Sequence, residues 1–188
     1  MSILIAGLVL FLGVHTFTTL RDARATAIGR LGGGPYKGLY SLVSAAGLVL
    51  IVWGFGRYRS GGYIAVWDPP QVLHPVALVL MWFAFVALAA AYSPAGKIKG
   101  VLRHPMLVAI KAWALAHLLV NGDLGSLILF SAFLAWAVYD RIAVKRRGDA
   151  GAPSSGVTAG DAVSLVVGSA AYAAMFWLHP WLIGVPIA

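Results

Sequence analysis

Ionisable side chains inside long apolar runs are functional-site candidates, because each is costly in hydrocarbon unless something pairs with it. Deep inside such runs lie His15 in the first and Lys111 and His117 in the fourth. His74, His104 and His179 lie at or near the ends of other runs. Imidazole is the commonest protein ligand for haem iron, and two imidazoles on facing transmembrane helices would hold a b-type haem without cysteine. The chain contains no cysteine, so disulfides, thiolate zinc sites, iron–sulfur clusters and covalent c-type haem are excluded. Glutamate is also absent, which leaves carboxylate chemistry to six aspartates.

Each candidate has a structural alternative that spacing leaves open. His74, His104 and His179 each precede a proline, and His-Pro at a helix start gives a polar cap followed by a residue that needs no amide partner. His15 has Leu8, Phe11, Thr18 and Thr19 as helical neighbours and lies about 9 Å along the helix from Arg21, well inside a membrane. It is an iron ligand or a hydrogen-bonding partner of a neighbouring helix. His117 lies about 21 Å from Arg103 along its own helix, among Ala109, Ala112, Ala114 and Ala116. The shallow relief of those alanines suits either close helix packing or a flat cofactor. Lys111, about 12 Å from Arg103, either snorkels to the membrane edge or pairs with an anion such as a haem propionate.

The elements that must position these side chains are membrane spans. Of 188 residues, 61% are hydrophobic and 11% charged, with a mean hydropathy of +0.87. A soluble domain of this size cannot bury so much apolar surface. The expected fold is all-α: a polytopic integral membrane protein of about six transmembrane helices in one bundle, forming a single domain over 1–188. The runs are Ile3 to Leu20, Leu39 to Gly56, Leu73 to Tyr92, Pro105 to Val120, Leu124 to Val144 and Ala162 to Ile183. The stretches Arg24 to Gly38 and Arg146 to Gly160 read as loops from their glycine, proline and serine. Thr158 with Asp161 three residues on reads as a helix-start cap.

The net charge of +8 lies mostly in alternate connections: eleven of the 14 Lys and Arg fall in the first, third and fifth. Such an excess marks cytoplasmic loops, which places both termini in the periplasm of a bacterial inner membrane. No positive charge precedes the first run, so it is expected to stay as an anchor rather than be removed as a signal peptide. The basic loops face membrane lipid, not nucleic acid, because no aromatic residues interleave with them. The Gly32-Gly33-Gly34 run is no nucleotide cradle, since no Lys-Ser or Lys-Thr follows it.

The run Arg103-His104-Pro105, followed by Lys111, Trp113, His117-Leu118-Leu119 and Asn121-Gly122-Asp123, resembles the signature stretch of the NnrU family. Gly13-Val14-His15 and Gly38-Leu39-Tyr40-Ser41 agree further, so the resemblance covers nearly the whole chain. That family is named for a link to nitrite and nitric oxide reduction, and its plant relatives include 15-cis-ζ-carotene isomerase. The resemblance implies a membrane protein with non-covalent haem b, in which His15 and His117 match the isomerase's candidate iron ligands. Lys111, Trp113, His104 and Asn121 are the further candidates for contact with the haem. It also implies a choice of function: haem-dependent cis–trans isomerisation of a lipid polyene with a carotenoid substrate, or a non-catalytic accessory role that handles haem, electrons or nitric oxide. The isomerase resembles a case in which cysteine exchanges with histidine on the iron, and this chain has Ala114 three residues before His117. A third reading has no cofactor, and its histidines only cap and pack.

Overall fold

The computed structural model describes residues 1–153, 156–185 and 187. Ser154 and Ser155, inside the stretch expected to be a loop, lie outside the described residues. The described chain runs through α1 (Ser2–Thr19), α2 (Arg21–Leu31), α3 (Gly33–Ser60), α4 (Leu73–Tyr92), α5 (Lys97–Leu102), α6 (Pro105–Val120), α7 (Leu124–Arg146) and α8 (Ala159–Ile183). No strand occurs among the described residues, and one isolated bridge joins Ala65 to Asp123. Five helices, α1, α3, α4, α7 and α8, are long and apolar enough to cross a membrane. At 16 residues α6 is shorter, about 24 Å against a hydrocarbon core of about 30 Å. Leu42, Val49 and Val52 on α3 and Val163, Val166 and Val167 on α8 are all exposed on the protein surface, as lipid-facing residues should be. The chain is thus an all-α polytopic membrane protein.

The first expected loop is mostly helix. Arg21–Leu31 forms α2, and α3 begins at Gly33 rather than Leu39. The break narrows to Gly32, whose φ of 84° suits a residue without Cβ. Gly33, Gly34 and Pro35 occupy the first turn of α3, where amides have no intrahelical partner and proline loses nothing. Glycine and proline there start a helix instead of forming a loop.

The chain divides into two compact units, Met1–Pro69 with Asn121–Arg147, and Pro70–Val120 with Gly148–Ala188. In the first, α1 and α3 run antiparallel at backbone contact. A Cβ on Gly7 would meet the Ile51 nitrogen at 2.6 Å, one on Gly47 the Phe11 nitrogen at 2.7 Å, and one on Gly54 the backbone of Leu4. Small residues at such spacing let membrane helices approach closely. α7 packs on α1, and its start is tied back by Leu124 N donating to the Ile64 carbonyl at 2.9 Å, while Val66 N donates to Gly122 O at 2.8 Å. Asp123 caps α7 by accepting from Ser126 N at 2.9 Å.

In the second unit α4 packs against both α6 and α8. Ala77, Ala84, Ala87 and Ala90 of α4 are buried, as are Ala109, Ala112, Ala114 and Ala116 of α6. Gly168 of α8 lies against the Val86 backbone of α4, and Trp82 Nε1 donates to Ser169 Oγ at 3.0 Å. The expected cap at Thr158 and Asp161 is a full capping box. The same Asp161 carboxylate also accepts from Lys97 N at 3.0 Å and Ile98 N at 2.7 Å, so one side chain caps α8 and the start of α5.

The glycine contacts predict a sharp contrast. Gly47→Leu should destabilise the protein by about 1–3 kcal/mol, because a side chain there must push two backbones apart. Gly13→Ala should be neutral or stabilising, since nothing lies within 4 Å of a Cβ there and alanine is the better helix former. Thermal unfolding in detergent measures both; equal effects would contradict the packing.

Candidate functional site

His15 lies on α1 in the first unit, half-buried among aromatic rings from three helices. Its ring centroid is 4.2 Å from Phe11 on α1, 5.4 Å from Tyr40 on α3 and 5.7 Å from Trp136 on α7, with the last approached edge-on at 88°. Its Nδ1 is 2.6 Å from the carbonyl oxygen of Phe11, one turn earlier. A carbonyl only accepts, so Nδ1 is the donor, an arrangement that in a neutral imidazole leaves the lone pair on Nε2. Trp136 Nε1 is buried and has no hydrogen-bond partner among the described residues. Trp136 was not legible as a neighbour of His15: it is one tryptophan among seven, and only helix packing puts it there.

His117 lies on α6 in the second unit and repeats the pattern. Its Nδ1 donates to the Trp113 carbonyl at 2.8 Å, again one turn earlier, and the Trp113 ring is 5.3 Å away. The lone pair again falls on Nε2. Ala109, Ala112 and Ala116 are buried on α6, which packs against α4, so the small residues serve helix contact. Ala114 is fully buried. Lys111 is half-buried on the same helix, about 9 Å below His117.

The remaining polar candidates hold loops. His104 Nε2 donates to the Asp149 carbonyl at 3.3 Å, and Arg103 Nη1 to the Ala150 carbonyl at 3.3 Å. The Arg103 carbonyl accepts from Ala152 N at 2.8 Å, so the two residues pin the segment after α7. Arg103 has a positive φ of 59°, a strained conformation for a side chain of that size. With Nε2 as its donor, His104 differs from the other four histidines. His74 Nδ1 donates to Gln71 O at 3.2 Å, and His179 Nδ1 to Val185 O at 2.7 Å. Asn121 is half-buried, follows α6 in the chain and belongs to the first unit, with His15. His117, Lys111, Trp113 and His104 belong to the second.

This sequence signature, spread over both units, is matched by a family model described as NnrU protein, over residues 3–187. The chain belongs to the NnrU family. No curated protein and no solved structure matches it. The resemblance implies haem b, and each intramembrane histidine, within its own unit, has a ring hydrogen bond compatible with an iron ligand. Metal-ligating histidines characteristically donate their other ring N–H to a carbonyl or carboxylate, which fixes the tautomer and raises the basicity of the ligating nitrogen. His15 and His117 both do so with carbonyls of their own helices. Among the described residues no cluster of three or more His, Cys, Asp or Glu could hold a bare metal ion.

Proposed function

We propose that this NnrU protein is an integral membrane haem b protein whose iron His15 and His117 would ligate, and that it catalyses cis–trans isomerisation of a lipid polyene of the 15-cis-ζ-carotene type. The observation that carries this reading is the shared tautomer: two intramembrane imidazoles, each with Nδ1–H held by a backbone carbonyl and a lone pair on Nε2. Bound iron would supply the electronic perturbation that weakens a central double bond, with no net oxidation of the substrate.

The chain's own residues then bind and orient. The Phe11 and Trp113 carbonyls hold the two imidazoles in the ligating tautomer. Phe11, Tyr40 and Trp136 shield the His15 ring from water. Lys111 would pair with a haem propionate and Trp113 and Asn121 would supply further contacts, while His104 steadies the segment after α7. The eleven basic residues in alternate connections support a location in a bacterial inner membrane with both termini periplasmic.

Ala114 favours a second reading. A thiol that could exchange with histidine on the iron is absent from this chain, which suits an accessory protein that handles haem, electrons or nitric oxide for nitrite and nitric oxide reduction.

Purified protein is expected to show a low-spin Soret band that His15→Ala and His117→Ala abolish and His74→Ala leaves intact. Lys111→Met should weaken haem binding without unfolding the protein. A wild-type spectrum in both ligand variants overturns the ligand pair. Incubated in darkness with membranes rich in the cis polyene, the haem-loaded protein should shift the isomer ratio toward trans; a haem-loaded protein that leaves the ratio unchanged supports the accessory reading. A reporter active only in the periplasm, fused to the C-terminus, should be active.

A further inference from the structure

We propose that the basic end of the first unit is a built site for a phosphate group, independent of any haem. Four cations, Arg21, Arg24, Lys37 and Arg147, line one cavity of about 440 Å³ together with a single carboxylate, Asp140. They come from the start of α2, the start of α3 and the residue after α7. No pairing within this set can neutralise four cations with one carboxylate, so the cavity keeps a net positive charge that an anion would satisfy.

Charge at a membrane edge is common, and Lys145 and Arg146 of α7 are simply exposed to it. The cavity differs because it also holds buried donors with nothing to donate to. Tyr36 lines it and is only 8% exposed, yet its hydroxyl has no hydrogen-bond partner among the described residues. Arg24 Nε is likewise buried and unpartnered, with the guanidinium carbon 6.0 Å from the Tyr36 ring centroid. Buried polar groups are nearly always satisfied, and those that are not call for a missing partner. The Thr18 and Thr19 hydroxyls, which also line the cavity, already donate to the His15 and Thr16 carbonyls. The unspent donors are therefore the cationic groups, Arg24 Nε and the Tyr36 hydroxyl.

That donor set suits phosphate better than carboxylate. Arginine forks bind pairs of phosphate oxygens, and a tetrahedral anion presents oxygens to donors arriving from three helices, where a planar carboxylate presents two. The cavity lies where apolar α1 gives way to polar α2, at the level of lipid headgroups. The phosphate can belong to an anionic phospholipid or to a soluble phosphate compound; the recognition chemistry is the same.

The test uses delipidated full-length protein in detergent, with the thermal unfolding midpoint as readout. The titrants are inorganic phosphate against chloride at equal ionic strength, and short-chain phosphatidylglycerol against phosphatidylcholine. Stabilisation by phosphatidylglycerol alone identifies a lipid headgroup, and saturable stabilisation by inorganic phosphate identifies a soluble ligand; either supports the site. The paired substitution Arg24→Gln with Arg147→Gln should weaken the response by about tenfold or more. Tyr36→Phe, which deletes one oxygen and keeps the ring, should weaken it several-fold while circular dichroism is unchanged. Absence of any anion-specific shift in the wild type, or an equal shift in wild type and both variants, overturns the proposal. So does loss of haem from the variants with the anion response intact, which would assign the cluster to a haem carboxylate.

Discussion

The backbone contact between α1 and α3 sets the geometry around His15. Leu4 lies against Gly54, Gly7 against Ile51 and Phe11 against Gly47, so the two antiparallel helices are locked in one register. Gly7, Phe11 and His15 follow at intervals of four on α1, and Tyr40, Gly47 and Gly54 at intervals of seven on α3. Both spacings keep residues on one helix face. The faces joined by glycine at one end therefore bring the His15 ring to Tyr40 at the other. In lipid there is no hydrophobic penalty for helices to separate, so this close fit, and not apolar burial, holds the arrangement.

Most polar groups in the apolar helices follow a second constraint and find a partner close by. His15 and His117 use carbonyls of their own helices, Thr18 and Thr19 do the same, and Ser164 donates to the Gly160 carbonyl. Bonds of this kind cost no cooperation from other helices and so survive wherever the helix forms. Asp161 meets the constraint differently, by serving two helix starts and the Thr158 amide with one carboxylate. Lys99 Nζ closes the other side of that corner by donating to the Ala91 and Ser93 carbonyls at the end of α4.

Against this background of local satisfaction, the exceptions stand out. Five buried polar atoms have no partner among the described residues: Trp136 Nε1 beside His15, the Tyr36 hydroxyl and Arg24 Nε in the basic cavity, and the hydroxyls of Ser44 and Ser126. Two of the five lie in a cavity dominated by cations, and Trp136 lies against His15. The Tyr36 hydroxyl and Arg24 Nε share one cavity with unneutralised cations, so that is where a bound anion would satisfy the most donors at once.

The sequence alone determined the solvent, the helical class and much of the span placement. The ends of α4 and α6 fall at the residues where apolar character begins and stops, Leu73–Tyr92 and Pro105–Val120, and the Thr158–Asp161 cap was readable from its spacing. Hydrophobicity over about 20 residues is a one-dimensional property, so one dimension suffices to read it. It did not reveal that helix continues through Arg21–Leu31 and from Gly33, because polarity ends a membrane span without ending a helix. His15 and His117 were legible as candidates because an imidazole in hydrocarbon demands an explanation. Their tautomer, the Trp136 edge on His15, the latch of His104 onto Asp149 and the meeting of Arg21, Arg24, Lys37 and Arg147 were not. Those depend on which face each helix turns toward its neighbour, and the helices here are apolar nearly all round. With no polar stripe to orient them, only the tertiary fit of glycine against backbone decided the faces.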